Sequence, residues 1–126
     1  MRMRITIEGD PHPMARPRVV NGHVYYLSRD IEWRETIRWT CAKAMASQNR
    51  KQYDCPLQVR VKFYRKLNPS SKQFGDIDNL LKGLFDGMNG IVFKDDSQIV
   101  KVVAEKLQDV SNPRAEVEVM PLRGSS

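Results

Sequence analysis

This sequence predicts a single α/β domain of the α+β kind: a mixed sheet of about four strands with two helices packed on it. Three observations carry that expectation. Residues 2–8, 57–64 and 115–119 place an apolar side chain at every second position, and an apolar run at 99–107 adds a fourth strand. Residues 28–47 and 78–88 instead repeat apolar side chains every three or four positions, which is helical spacing. The length of 126 residues, with 40% hydrophobic and 29% charged side chains, suits one domain with a modest core. No repeat or linker divides residues 1–126, and residues 122–126 read as a flexible tail.

The first strand turns Met3, Ile5 and Ile7 to one side and Arg4, Thr6 and Glu8 to the other. Gly9-Asp10-Pro11-His12-Pro13 ends it, because proline fixes φ and lacks an N–H. Arg16-Pro17-Arg18 continues the loop, and Asn21-Gly22 ahead of Tyr25-Tyr26 is a hairpin turn signal. Ser28 is the expected N-cap of the first helix, with Asp30 and Glu32 in its first turn. Trp33, Ile37, Cys41, Ala44 and Met45 form its apolar stripe, while Arg34, Arg38 and Lys43 read as a solvated face. Leu57, Val59, Val61 and Phe63 point inward from the next strand, which Pro56 opens. Residues 65–74 read as a mobile polar loop carrying Arg65, Lys66 and Lys72. The apolar run 99–107 reads as an interior strand. Ser111-Asn112-Pro113 then turns the chain into a last strand of alternating Ala115, Val117, Val119 and Glu116, Glu118.

Lys and Arg number 21 against 15 Asp and Glu, a net charge of +6. A basic body attracts polyanions such as DNA. Cys41 and Cys55 lie in different elements without metal-ligand spacing, and read as reduced packing residues. His12 and His23 lie in loops without the partners of a zinc site or a hydrolase triad. No apolar run is long enough to cross a membrane, and residues at the N-terminus lack a secretory pattern. The expected location is the cytoplasm.

The chemistry concentrates in residues 75–98, GDIDNLLKGLFDGMNGIVFKDDSQ. Leu80, Leu81, Leu84, Phe85 and Met88 form the buried stripe of the second helix. Asp78 or Asn79 is its expected N-cap, and Asn89-Gly90 its stop. Asp78, Lys82 and Asp86 are spaced four apart and share one polar face. Asp76 and Asp78 flank Ile77 and point the same way if that segment is extended. Such a like-charged pair is costly unless a cation stands between its members, and a hard divalent ion is the usual one. The spacing equally allows Asp76 to be a charge favoured by the helix dipole and Asp78 a cap. An EF-hand is excluded, since the sixth and twelfth positions counted from Asp76 hold Leu81 and Gly87.

The order Asp76-x-Asp78-Asn79-Leu80-x-Lys82, then Asp86-Gly87-Met88-Asn89-Gly90, then Lys94-Asp95-Asp96-Ser97-Gln98-Ile99-Val100 resembles the RusA family of Holliday-junction resolvases. These are small dimeric crossover junction endodeoxyribonucleases of bacteria and their prophages. The resemblance spans most of residues 75–106 and implies a RusA-like fold and a homodimer. It implies Mg²⁺-dependent phosphodiester hydrolysis that resolves four-way DNA junctions by paired symmetric nicks, in recombination and repair. Carried onto this chain, the pattern makes Asp76, Asp78 and Asp96 the metal ligands for Mg²⁺, with Mn²⁺ as a substitute. Asp95 is then a neighbour of the metal or shares the ligand role. Asp76, Asp78 and Asp96 form the catalytic set with Lys82, which lies one turn beyond Asp78 and is placed to stabilise charge on a phosphate. Arg16 and Arg18, in an Arg-Pro-Arg segment that family members often carry, are expected to contact DNA together with Lys72. Gly75 stands where many relatives have proline, which leaves the ligands intact but loosens the approach to them. The alternatives are another Mg²⁺-dependent nuclease acting on flaps, duplex or RNA, and a non-catalytic DNA-binding protein whose acids only cap a helix.

Overall fold

Alternation becomes pairing in a computed structural model of the chain, which describes residues 2–14, 18–25 and 28–122. In chain order the described residues form β1 (Met3–Glu8), β2 (Arg18–Val20), β3 (His23–Tyr25), α1 (Ser28–Ser47), β4 (Leu57–Arg65), α2 (Ile77–Met88), β5 (Ile99–Gln108) and β6 (Arg114–Pro121). Short 3₁₀ turns at Lys72–Phe74 and Asp96–Gln98 precede α2 and β5. The main sheet has the order β1-β6-β4-β5, and β2 and β3 make a separate hairpin. β6 runs antiparallel to β1 and β4, whereas β5 runs parallel to β4, so the sheet is mixed. This is the predicted class: one small α+β domain with a four-strand sheet and two helices.

The register explains the core. Ile5 stands opposite Val117, and Val117 opposite Val61, so apolar side chains form rows across the strands. Both helices cover that face, bringing Trp33, Ile37, Leu80, Leu84 and Met88 onto Ile5, Val61, Phe63 and Val117 in one core. Gly87 permits the close approach of the helices, since a Cβ there would stand 2.6 Å from Ile37 Cγ2. Arg38 donates to the carbonyls of Gly87 (3.3 Å) and Asn89 (3.1 Å). It therefore satisfies end carbonyls of α2 and puts a cation at the negative pole of that helix, rather than lying on a solvated face. On the opposite side of the sheet the charges alternate in sign, with Glu118 between Arg4 and Arg60 in the register.

Three expectations about elements are corrected. β5 is an edge strand, not an interior one, and Val100, Val102 and Val103 on it are 57%, 40% and 40% exposed. β6 takes the central place because it returns between β1 and β4, a choice that an apolar run cannot signal. Arg65 belongs to the end of β4 and is buried, so it is not a loop cation. Ser28 lies within α1 rather than ahead of it. The Asn21-Gly22 signal holds: the two residues have φ of 51° and 80°, the left-handed pair that a two-residue hairpin turn needs.

Candidate metal and DNA site

The approach to α2 is built tightly. Ser71 caps the 3₁₀ turn Lys72–Phe74 by accepting from the Gln73 N–H at 3.1 Å. Phe74 is fully buried and so ties the turn to the core. Gly75 has φ 95° and ψ 161°, a region open in practice to glycine alone. Its α-carbon also lies against the Pro13 ring, where an added Cβ would come within 2.5 Å of Pro13 Cγ. Its carbonyl accepts from Lys106 Nζ at 3.0 Å. Glycine at this position therefore fixes the approach instead of loosening it.

Asp76, not Asp78 or Asn79, is the N-cap of α2. Its backbone is extended and its carbonyl takes the Leu80 N–H at 3.0 Å, yet its side chain makes no capping hydrogen bond. An aspartate at this place ordinarily turns its carboxylate back onto the helix N–H groups. Asp78 follows in the first turn, exposed, where the helix dipole favours negative charge. Lys82 is exposed one turn further along.

The second acidic pair divides its labour. Asp95 caps the 3₁₀ turn Asp96–Gln98, accepting from the Ser97 N–H at 3.1 Å. The Gln98 side chain returns to the N–H groups of Lys94 (2.9 Å) and Asp95 (3.2 Å), completing a capping box. Its amide also donates to the Tyr53 and Cys55 carbonyls, at 3.0 and 3.1 Å, which pins the loop to the body. The hydrogen bonds from Ser97 hold the Asp95 carboxyl below its ordinary pKa. Asp95 is thus engaged in the turn, while Asp96 is half-buried and faces the polar side of α2. There burial raises the Asp86 carboxyl pKa, Lys82 and Arg34 oppose the rise, and Asp96 adds to it.

Lys82, Asp86, Asp96 and Arg34 therefore share one electrostatic neighbourhood. The sequence marks Asp86 only by its four-residue spacing from Lys82, which does not by itself place it beside Asp96. Arg34 comes from α1 and had no signal at all. Asp78 and Asp86 are two turns apart, roughly 12 Å along the axis at 1.5 Å per residue. Among the described residues, no group of three or more His, Cys, Asp or Glu stands together as a metal-holding cluster. The donor chemistry nonetheless fits a hard divalent cation. Asp76, Asp78 and Asp96 offer carboxylate oxygens, and that of Asp76 is not taken up by capping.

Lys72 is exposed at the start of its 3₁₀ turn, four positions before Asp76. Arg16 and the side chain of Arg18 lie outside the described residues, as do Tyr26 and residues 123–126. His12 pairs with an aspartate: its Nε2 lies 2.9 Å from Asp30 Oδ1, with both side chains largely buried. The pair ties the loop after β1 to α1, and with it the proline that packs on Gly75. Burial pushes the Cys41 thiol up to about 12, as befits a packing residue.

A family model described as endodeoxyribonuclease RusA matches residues 8–120. A relative from Bacillus subtilis (strain 168), described as "Uncharacterized protein YqaN", is 30% identical over an alignment 140 positions long, gaps included, that covers 93% of this chain and 94% of the relative.

Proposed function

The chain belongs to the RusA family of endodeoxyribonucleases, and from that premise we propose that it is a Mg²⁺-dependent resolvase of four-way DNA junctions, acting in recombination and repair. RusA nucleases are generally dependent on a divalent metal and bind branched DNA. The observation that carries the reading to this chain is Asp76. It stands at the cap of α2 with its carboxylate uncommitted, beside Asp78 and on the helix whose polar face meets Asp96. Asp76, Asp78 and Asp96 would hold Mg²⁺, or Mn²⁺ in its place, which when bound polarises a phosphate and acidifies water. Lys82 supplies a positive charge on the same face, placed to stabilise charge developing on phosphate oxygens. Lys72, with Arg16 and Arg18, would neutralise the DNA backbone, in keeping with the net charge of +6.

A four-way junction has two-fold symmetry, and a two-fold dimer presents two sites related in the same way. Exposed Val100, Val102 and Val103 on the edge strand β5 supply apolar surface for that second copy. No helix among the described residues is long and apolar enough to cross a membrane, and the cytoplasm is the expected place of action.

The test is cleavage of a labelled synthetic junction with and without Mg²⁺, with linear duplex, flap and RNA substrates alongside. Paired symmetric nicks confined to the junction are expected. Asp78→Asn and Lys82→Met should each lose at least about 100-fold in rate, the scale on which losing one transition-state stabilising group acts, while still binding the junction. Cleavage of linear duplex, flap or RNA as fast as the junction would replace this reading with another nuclease. Binding without cutting, in every metal tried, would leave a DNA-binding module.

A further inference from the structure

Three consecutive carbonyls, those of Gln73, Phe74 and Gly75, lead into Asp76, and each accepts a hydrogen bond from a cation on the sheet. Arg65 Nη1 donates to Gln73 at 3.0 Å and to Phe74 at 2.7 Å, and Lys106 Nζ donates to Gly75 at 3.0 Å. The two cations come from the neighbouring parallel strands β4 and β5, where Lys106 stands opposite Phe63 and Arg65 opposite Gln108. Both also lie over the ring of the buried Phe74, with Arg65 5.6 Å and Lys106 5.2 Å from its centroid. Arg65 is itself held by a two-pronged pair with Asp10, at 3.0 and 3.1 Å. Pro13 closes the remaining side against Gly75.

Charge-assisted hydrogen bonds are stronger than neutral ones, and three in succession fix three successive peptide planes. No carbonyl of this segment is needed by a helix or strand, so the cations serve its direction rather than its secondary structure. That direction sets where the backbone delivers Asp76 and Asp78. A preorganised ligand loses little freedom when it binds, and so binds more tightly.

We infer that Lys106 is a positioning residue for the divalent-cation site, acting with Arg65 through the carbonyls of residues 73–75. The inference rests on the reading of Asp76 and Asp78 as metal ligands. Lys106 is the residue to test, because it is only partly buried and its removal leaves the Arg65 pair intact. Lys106→Met keeps the aliphatic stem over Phe74 and loses the donor, and Lys106→Arg keeps a charged donor.

The experiment measures Mn²⁺ binding by calorimetry and the Mg²⁺ dependence of junction cleavage for the native chain, Lys106→Met, Lys106→Arg and Asp78→Asn. Junction binding without divalent metal is measured at several salt concentrations. Lys106→Met is expected to bind Mn²⁺ about 10- to 100-fold more weakly, the range seen when a group that orients a ligand is removed. It should need correspondingly more Mg²⁺ for half-maximal cleavage, and its metal-free junction affinity and salt slope should be those of the native chain. Lys106→Arg should recover most of the loss. Lys106→Gln replaces Lys106→Met in the comparison if the latter does not fold.

Native Mn²⁺ affinity in Lys106→Met, with Asp78→Asn abolishing it, would overturn the positioning role alone. Native affinity in Asp78→Asn as well would overturn the carboxylate site and the inference with it. A metal-free junction affinity that falls, with the salt slope reduced by about one, would make Lys106 a phosphate contact instead.

Discussion

Gly75→Ala probes the approach to α2 most sharply, because two independent costs meet at one atom. The conformation at φ 95° and ψ 161° disfavours a side chain by about 1–3 kcal/mol. The new Cβ would also stand 2.5, 2.8 and 2.9 Å from Pro13 Cγ, Cβ and Cδ. That ring is bonded to its own backbone and cannot swing away, so an overpacking cost of about 1–3 kcal/mol is expected. Restricting the unfolded chain returns about 0.4–1 kcal/mol, for a net loss near 3 kcal/mol. With a urea slope of about 2 kcal/mol per molar, the midpoint should fall by roughly 1.5 M. Gly22→Ala is the control: φ there is 80° but nothing lies within 4 Å of the added Cβ, so it carries backbone strain alone. Adding Pro13→Gly to Gly75→Ala should recover at least about 1 kcal/mol in a double-mutant cycle. If Gly75→Ala cost no more than Gly22→Ala, and Pro13→Gly recovered nothing, the packed approach to Asp76 would be wrong.

The two carboxyls with opposite shifts give opposite pH responses. Asp86 is raised by burial, so the folded state holds more protons than the unfolded state between the ordinary and raised values, and stability falls as pH rises through that window. Asp86→Asn should be more stable than the native chain at neutral pH without metal, with the gap closing on acidification below the ordinary carboxylate range. Asp95 is lowered by its bonds from Ser97, and its contribution is lost as pH falls through the depressed value. Asp95→Asn should therefore be less stable at neutral pH and match the native chain in acid, as urea midpoints across pH would show. Val102→Lys, placed on the exposed β5 edge, should shift sedimentation of the proposed dimer toward monomer, and an unchanged profile would remove β5 from the proposed interface.

The local signals proved reliable where one residue's chemistry sufficed. Alternating Met3, Ile5 and Ile7 could bury one face of a strand and no other. Leu80, Leu84 and Met88 could do so only as a helix, and Asn21-Gly22 could adopt the positive φ angles of its turn. The acidic motif was also legible, because its order and spacing are covalent facts. What the sequence left open depended on contacts between distant segments. Whether Asp76, Asp78 or Asn79 stands at the cap of α2 turned on where the backbone passes from extended to helical, which is at Asp76. Asp95 and Asp96, adjacent in the chain, parted roles when Ser97 and Gln98 folded around the first. His12 acquired Asp30, Arg38 acquired the end of α2, and Gly75 acquired Pro13, each across a separation that periodicity does not reach. β5 became an edge strand because β6 was inserted between β1 and β4. Sequence by itself determined the elements and the stock of reactive groups, since both follow from short-range sterics and side-chain chemistry. Tertiary structure alone decided which groups are held, which stay uncommitted and which stand at an edge, since burial and charge pairing exist only once distant segments meet.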